Sequence, residues 1–337
     1  MTNVKMIDIA KTANVSIATV GRVIHNNGYV AEDKRKEIEQ IIKDTRYIPN
    51  KMAQALKYSR SKLIGHMTLF SQNMLYEQIS SAVDKAASNQ GYHVMTLASN
   101  YNQGEEAKQI DELIAQRVEG LIITSNVMIN RELITKLVDN KIPVVMIERA
   151  INMPNVDCIL VDDMEGVYGA VTHILEKGHR RIGFIGRNPE HEVEFNRYKG
   201  YCKAINDYGI PTLPEFIQLV PDYSILLGHQ ATEALMEEAN PPTAIFTTSD
   251  IYACGVMQCL YEKNIRVPDD ISIVGYDNTL AAMLSPAISS VGLPYQEIGD
   301  WAIKLLQARM ENEKEPAQSV MINTRFIDRK TVLEWNK

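Results

Sequence analysis

Two acidic side chains each stand at the end of an apolar run of the sequence. Glu148 ends the run 143–148, and Asp277 follows the run 271–276. In open α/β sheets, ligands bind outside the carboxyl ends of the strands. A carboxylate accepts hydrogen bonds from hydroxyl groups, so both residues could bind a polyhydroxylated ligand. The alternative for Asp277 is that it only forms a turn.

Five further side chains are candidates for the same ligand site. Arg197 could donate a fork of hydrogen bonds, although a surface ion pair is the commoner role of an arginine. Tyr76 and Tyr223 could offer stacking faces to a ligand. Ser249 and Asp250 could contact it, or could merely cap the helix that follows them.

The sequence carries no recognisable catalytic motif. It has no Gly-rich phosphate loop, no nucleophile elbow and no metal-ligand spacing. We therefore expect neither an enzyme nor a bound cofactor or metal. The missing GxGxxG argues against the alternative of a Rossmann-type oxidoreductase. The four cysteines lack CxxC spacing and are interpreted as small buried hydrophobic residues: Cys158, Cys202, Cys254 and Cys259.

The first 45 residues contain three short amphipathic patterns. Apolar positions recur with helical spacing over residues 6–13, 17–24 and 31–45. Ser16 is a good N-cap for the second helix, which follows the first after only three residues. Two helices joined by so tight a turn predict a helix-turn-helix.

The second of these helices has one face that could contact DNA bases. Arg22 is the best candidate for a bidentate contact to guanine, and Ile17 and Ala18 could contact thymine methyl groups. The alternative is an accessory three-helix domain in which Arg22 is merely a solvated charge. The opposite arc, which we expect to pack, holds Thr19, Val20, Val23 and Ile24.

Charge is divided unevenly along the chain. The net charge is -7, but residues 1–62 hold twelve Lys and Arg against six Asp and Glu, and the remaining residues hold 23 against 36. A basic head on an acidic body suggests a polyanion partner for the head alone.

From residue 63 onward, short apolar runs alternate with helical patterns. This alternation predicts doubly wound parallel sheets, and the number of runs suggests two sheets that face each other across a ligand cleft. The predicted fold class is therefore α/β with a small all-α head. The runs that predict strands are 63–69, 92–98, 120–124, 143–148, 159–162, 181–186, 216–220, 244–248 and 271–276.

Taken in order, several motifs closely resemble the lactose repressor/galactose repressor family of bacterial transcriptional regulators. The likeness covers essentially the whole chain and implies a homodimeric repressor whose sensor domain is built like a periplasmic sugar-binding protein. Gly21 stands where the family usually has serine, and Glu148 where it usually has aspartate. The residues that carry the likeness are 7–24, Tyr47-Ile48-Pro49-Asn50, Ala53-Gln54-Ala55-Leu56, 178–182, Arg197 with Gly200, 267–277 and 329–331.

The resemblance assigns roles to particular residues. A hinge helix would begin near Asn50, with Leu56 as an apolar wedge in the DNA minor groove. The residues implied to contact DNA are Ser16, Ile17, Ala18, Thr19, Arg22, Asn50, Ala53 and Leu56. Those implied or proposed to bind the effector are Tyr76, Glu148, Arg197, Tyr223, Ser249, Asp250 and Asp277.

These observations predict three parts and their partners. Residues 1–49 would bind operator DNA, 50–62 would form the hinge and linker, and 63–337 would bind a sugar or sugar derivative and dimerise. The last part would comprise an N-lobe of about 63–161 and 292–320 and a C-lobe of about 162–291 and 321–337. The final residues show no leucine heptad, so we expect a dimer rather than a tetramer.

The apparent absence of targeting segments predicts a cytoplasmic location. The first residues lack an apolar signal region, and no apolar run approaches the ~18 residues of a membrane span. Together with the basic head, this argues against the alternative of a secreted sugar-binding receptor. We expect a cytoplasmic repressor of a carbohydrate-utilisation operon.

Overall fold

The computed structural model divides into two compact units, Met1–Ser61 and Lys62–Lys337. The residues that it describes are 4–47, 60–69, 71, 73–99, 103–124, 131–189, 192–312 and 314–335. Within these ranges, no helix is long and apolar enough to cross a membrane.

Residues 4–47 of the first unit form three helices. Helix α1 spans Met6–Thr12, α2 spans Ile17–Ile24 and α3 spans Glu32–Thr45. The Ser16 side chain caps α2 by accepting a hydrogen bond of 3.1 Å from the backbone N–H of Thr19. The small core of the unit is made by Ile9, Ala10, Ala13, Val20, Val23 and Ile38.

The second unit contains two sheets, each of which defines one lobe. The first lobe is built on β1 to β5 and β11, in the spatial order β11-β5-β4-β3-β1-β2, and all of its strand pairs are parallel. Its strands are β1 Leu63–Leu69, β2 His93–Ser99, β3 Gly120–Thr124, β4 Val144–Ile147, β5 Val156–Val161 and β11 Ser319–Ile322; its helices are α4 Leu75–Asn89, α5 Gln103–Ala115, α6 Arg131–Asp139 and α11 Tyr295–Glu311.

The second lobe has the same layered construction, with one antiparallel edge strand. Its order is β12-β10-β9-β8-β6-β7, and β12 runs antiparallel to β10 while the other pairs are parallel. Its strands are β6 Ile182–Arg187, β7 Ile217–Val220, β8 Ala244–Thr247, β9 Ser272–Asp277, β10 Ser289–Gly292 and β12 Arg325–Ile327; its α-helices are α7 Asp163–Glu176, α8 Glu192–Asp207, α9 Ile225–Met236 and α10 Asp250–Glu262, with short 3₁₀ helices at Pro214–Phe216 and Ala281–Met283.

Helices cover both faces of each sheet, which explains why the strands are apolar throughout. Strands β3 and β4 are buried at every position. One face of the first sheet packs against α4 and α11, and the other packs against α5 and α6. The predicted α/β class with two doubly wound sheets is confirmed, except that β12 makes the second sheet mixed. The predicted lobe boundary at residue 321 falls inside β11.

Candidate functional site

The exposed face of α2 in the first unit carries the residues predicted to contact DNA. Ser16, Ala18 and Arg22 are exposed, and Ile17 exposes 47% of its surface although it is a large apolar residue. Thr19 is half-buried, and its hydroxyl lies 2.9 Å from the Ser16 Oγ, so it helps to cap the helix. The structure therefore brings four predicted side chains to one exposed surface.

A glycine leaves room for the side chain of Arg22. Gly28 has a φ of +76°, and a Cβ at this position would stand 3.3 Å from the Cδ of Arg22. The turn after α2 therefore packs against the side chain of Arg22. The predicted hinge residues Asn50, Ala53 and Leu56 lie outside the described residues.

In the second unit, the predicted ligand residues meet at the carboxyl ends of strands. Arg197, on α8, is completely buried. Its Nε donates to Asp163 Oδ1 at 2.8 Å, and its Nη1 donates to the carbonyl of Thr248 at 2.8 Å. The guanidinium carbon lies 4.0 Å from the centre of the Tyr276 ring. The alternative of a surface ion pair is therefore wrong.

Asp277 lies beside Arg197 and is also completely buried. Its Oδ2 accepts hydrogen bonds from Ser249 Oγ at 2.6 Å and from Asn73 Nδ2 at 3.3 Å, while its Oδ1 is 3.6 Å from Arg197 Nη1. Asn73 belongs to the first lobe and Asp277 to the second, so this bond joins the lobes. Asp277 is thus more than a turn former.

Arg197 and Asp277 each have one buried polar atom that makes no hydrogen bond within the described parts of the chain. These atoms are Arg197 Nη2 and Asp277 Oδ1. An unsatisfied buried polar group costs about 1–3 kcal/mol, and more when it is charged. One is a donor and the other an acceptor, so a ligand that offers both functions would remove both costs.

Glu148 reaches the same region from the first lobe. It is 5% exposed, follows β4 and has a φ of +61°. The nearby Tyr295 donates its hydroxyl to the carbonyl of Asp277 at 2.8 Å. Burial raises the pKa of Tyr295, and the negative charges of Asp277, Glu148 and Asp250 raise it further. The charges of all three carboxylates therefore act on one tyrosine.

Asp250 accepts hydrogen bonds from the backbone of a turn in the second lobe. Its Oδ2 accepts from the backbone N–H groups of Leu280 and Ala281 at 3.0 and 2.9 Å, and its Oδ1 accepts from Ser290 Oγ at 2.9 Å. Burial, together with the charge of Asp277, raises the pKa of Asp250 to about 6. Both of its oxygens are thus occupied by the protein. Ser249 does not cap α10 with its side chain, since its hydroxyl donates to Asp277.

The tyrosines proposed as stacking faces are buried at the same cluster. Tyr76 is 2% exposed and Tyr223 is 5% exposed. Tyr223 donates its hydroxyl to Glu194 Oε1 at 2.5 Å, and its ring stacks on that of Tyr252 with centroids 5.6 Å apart. Its hydroxyl is thus held by the protein, whereas its contribution to a ligand surface stays a prediction.

Sequence reasoning missed several members of the cluster. Glu194 is 2% exposed, and its Oε2 accepts a hydrogen bond of 3.1 Å from the hydroxyl of Thr248. Burial raises the pKa of Glu194, whereas the charge of Arg197 lowers it. Asp163 accepts from both Arg197 and the Tyr276 hydroxyl. Glu194 lies three residues before Arg197, so helical spacing places the two side chains on the same face of α8. This spacing is the feature of the sequence that indicates a role for Glu194 beside Arg197.

The clustered carboxylates do not form a recognisable metal centre. Across the described ranges, no group of three or more His, Cys, Asp or Glu side chains is arranged to hold a metal ion. The arrangement of a buried arginine, buried carboxylates and buried tyrosines at strand ends is instead suited to hydrogen bonding of a small polar molecule.

Both units of the chain match known protein families. Residues 5–50 match the family described as bacterial regulatory proteins, lacI family, and residues 171–332 match the periplasmic binding protein-like domain. The chain is 31% identical over 295 residues to the HTH-type transcriptional regulator DegA of Bacillus subtilis, covering 87% of each chain. It is 31% identical over 331 residues to the HTH-type transcriptional repressor PurR of Escherichia fergusonii, covering 97% of this chain and 96% of that one.

The fold agrees with these sequence relationships. A solved structure of the lac repressor dimer, bound to operator and the anti-inducer ONPF, matches with a TM-score of 0.84 and 25% identity, covering 98% of this chain and 100% of that one. The relatives are transcriptional regulators rather than enzymes. This chain belongs to the lacI family of bacterial transcriptional regulators, which bind DNA and carry a ligand-binding domain.

Proposed function

We propose that this regulator represses a carbohydrate-utilisation operon in the cytoplasm and that a sugar or sugar derivative, bound between its lobes, controls its affinity for the operator. The observation that carries the proposal is the buried pair Arg197 Nη2 and Asp277 Oδ1, a donor and an acceptor without hydrogen bonds in the described chain. The pair lies where ligands of such α/β folds bind.

A sugar matches this pair because each hydroxyl group both donates and accepts hydrogen bonds. One hydroxyl would accept from Arg197, and the same or a neighbouring hydroxyl would donate to Asp277. Glu148 would accept from further hydroxyls on the side of the first lobe. A site built for hydroxyls strongly rejects analogues that lack them, since its buried polar groups would then stay unsatisfied.

Replacement of Arg197 by lysine tests the effector site. Arg197→Lys keeps a positive charge near Asp163 but loses the fork, so we expect at least a tenfold loss of sugar affinity by calorimetry with an unchanged operator affinity. The exposed Arg181 offers the matched control Arg181→Lys, which should bind sugar like the wild type. Unchanged sugar binding by Arg197→Lys would refute the assignment of the site.

The operator would be contacted by the exposed face of α2. We propose direct base contacts by Arg22, Ile17 and Ala18, with Ser16 and Thr19 at the helix start near the phosphates. The proposed hinge residues Asn50, Ala53 and Leu56 would bind the minor groove. One such head has few base-reading side chains, so we propose a homodimer on a pseudo-palindromic operator.

Selection of operator sequences from a random pool tests the role of Arg22. Arg22→Ala should lose preference at one position of each half-site, a change of about 1–3 kcal/mol in discrimination. The exposed Lys36 provides the control, since Lys36→Ala should retain every base preference even if its overall affinity falls. An unchanged preference profile for Arg22→Ala would show that α2 does not read the operator as proposed.

A further inference from the structure

The cluster of buried side chains at the strand ends of the second unit holds more negative charge than positive charge. Five buried carboxylates lie in or around it, belonging to Glu148, Asp163, Glu194, Asp250 and Asp277. The buried cation among them is Arg197, which is 2.8 Å from Asp163, 3.6 Å from Asp277 and 3.8 Å from Glu194. One guanidinium cannot balance this set of carboxylates.

The hydrogen-bond donors around these carboxylates fit the ionised form. Asp163 Oδ1 accepts from Arg197 and from the Tyr276 hydroxyl. Both oxygens of Glu194 accept hydroxyl donors, from Tyr223 and Thr248. Both oxygens of Asp250 likewise accept donors. The hydrogen bonds from these donors stabilise the ionised forms of Glu194 and Asp250 and so oppose the burial that raises their pKa values.

Arginines at the margin of the cluster reduce this excess without removing it. Arg187 is half-buried at the end of β6, where its guanidinium lies 5.5 Å from the Tyr223 ring centre and its Nε donates to the carbonyl of Pro221. Arg149 is half-buried and follows Glu148 in the chain. Even with both counted, the carboxylates outnumber the arginines among the described residues of this cluster.

We propose that the effector is an amino sugar, whose ammonium group donates to Asp277 Oδ1 while a neighbouring hydroxyl oxygen accepts from Arg197 Nη2. This inference rests on the proposed sugar site and specifies the charge of its ligand. Asp277 Oδ1 is a buried acceptor that has no hydrogen bond in the described chain, and it lies 3.6 Å from Arg197 Nη1. An ammonium group supplies both the missing donor and a compensating charge.

Electrostatics favours this ligand over neutral and acidic sugars. In the protein interior, charges interact more strongly than in water, and a buried unpaired charge is costly. A neutral sugar leaves the excess charge uncompensated, and a sugar acid increases it. Burial raises the pKa of Asp277 and the charge of Arg197 lowers it, so a further positive charge beside Asp277 would stabilise its ionised form.

Calorimetry on the full chain at pH 7 tests the proposal with four matched sets of ligands. The probes are glucosamine, galactosamine and mannosamine, their parent sugars, their N-acetyl forms and the matching uronic acids. At least one amino sugar should bind ten or more times tighter than its parent, and N-acetylation should remove this advantage. Asp277→Asn should reduce the preference for the amine to less than threefold.

Control variants separate the charge of the site from the charge of the whole protein. Asp139 is exposed on α6, and Asp139→Asn should keep the full preference for the amine. Tighter binding of a parent sugar, an N-acetyl sugar or a uronic acid would overturn the proposal while leaving the proposed sugar site intact. If no member of the panel binds, both the amino-sugar proposal and the proposed function fail.

Discussion

At the scale of single residues, His66 in β1 is a buried side chain outside the proposed ligand contacts. It is completely buried, and its Nε2 is 2.9 Å from the Thr124 hydroxyl, whereas its Nδ1 has no hydrogen bond among the described residues. Burial lowers the pKa of His66 from 6.5 to about 4. The folded chain therefore keeps this ring neutral at pH values where the unfolded chain protonates it.

This difference predicts a loss of stability in mild acid. Between pH 6.5 and 4 the unfolded state binds the extra proton, so the free energy of unfolding falls as the pH falls through this window. At pH 5 the loss due to His66 should be about 2 kcal/mol relative to pH 7.5. Urea denaturation of His66→Gln should show a pH dependence smaller by that amount.

The exposed His93 provides the control for this measurement. His93→Gln should retain the pH dependence of the wild type, because it removes a histidine whose side chain is exposed rather than buried. Burial raises the pKa values of Glu194 and Asp277, so these groups increase the free energy of unfolding as the pH falls and oppose the effect of His66. The contribution of His66 is therefore obtained as the difference between the variant and the wild type. If His66→Gln and the wild type lose the same stability, the ring is not held neutral.

The residues that sequence reasoning could find were those whose position depends on one local feature. Glu148 and Asp277 follow apolar strands, and Arg22 lies on the polar arc of a short helix. Asn73 and Asp163 gave no such signal, because their roles depend on partners 204 and 34 residues away in the chain. Asp250 was placed near the ligand, but its oxygens bind a turn that only the folded lobe creates.

At the scale of elements, α2 contains a glycine whose side-chain position is open. A Cβ at Gly21 would meet nothing within 4 Å, and glycine costs a helix about 1 kcal/mol relative to alanine. Gly21→Ala should therefore stabilise α2 and slow hydrogen exchange of its amides by roughly fivefold. Exchange measured by mass spectrometry on the full chain reports this change.

Gly28 gives the opposite expectation for the same substitution. Gly28→Ala places a Cβ at a φ of +76° and 3.3 Å from Arg22, so it should accelerate exchange in α2 and weaken operator binding. Faster exchange in Gly21→Ala, or no effect of Gly28→Ala, would contradict the described packing around this helix.

Helices and strands could be predicted where the pattern of apolar residues in the sequence was long or repeated. The run at 63–69 coincides with β1, and the predicted second helix coincides with α2. Strand β10 is a four-residue segment with two serines and a glycine, and β12 has three residues. Strand β10 pairs with β9, and the edge strand β12 pairs with β10, so these short strands form because their neighbours offer backbone partners and not because their own residues demand a strand.

At the scale of the whole molecule, the second unit exposes large apolar side chains that suggest a covered surface. Leu226 on α9, Tyr261 on α10 and Met283 in a 3₁₀ helix are 63%, 84% and 74% exposed. Full burial of such a side chain is worth about 1.5–3 kcal/mol. Leu226 and Tyr261 lie on two helices that pack against each other, and exposed apolar side chains of this size support the proposed homodimer.

Sedimentation velocity tests this surface. Leu226→Glu should shift the protein from dimer to monomer at micromolar concentration, since it places a charge in an apolar contact. Leu333 is 41% exposed near the end of the chain, and Leu333→Glu should remain dimeric. A dimeric Leu226→Glu variant would exclude α9 from the interface.

The operator affinity with and without the sugar selected by calorimetry is the most direct measure of the proposed regulation. Fluorescence anisotropy of labelled operator should show a change of 5- to 150-fold at saturating sugar, which corresponds to about 1–3 kcal/mol of coupling. By thermodynamic reciprocity, operator should change the sugar affinity by the same factor. A sugar that binds in an Arg197-dependent manner but leaves operator affinity unchanged would contradict regulation through this cleft.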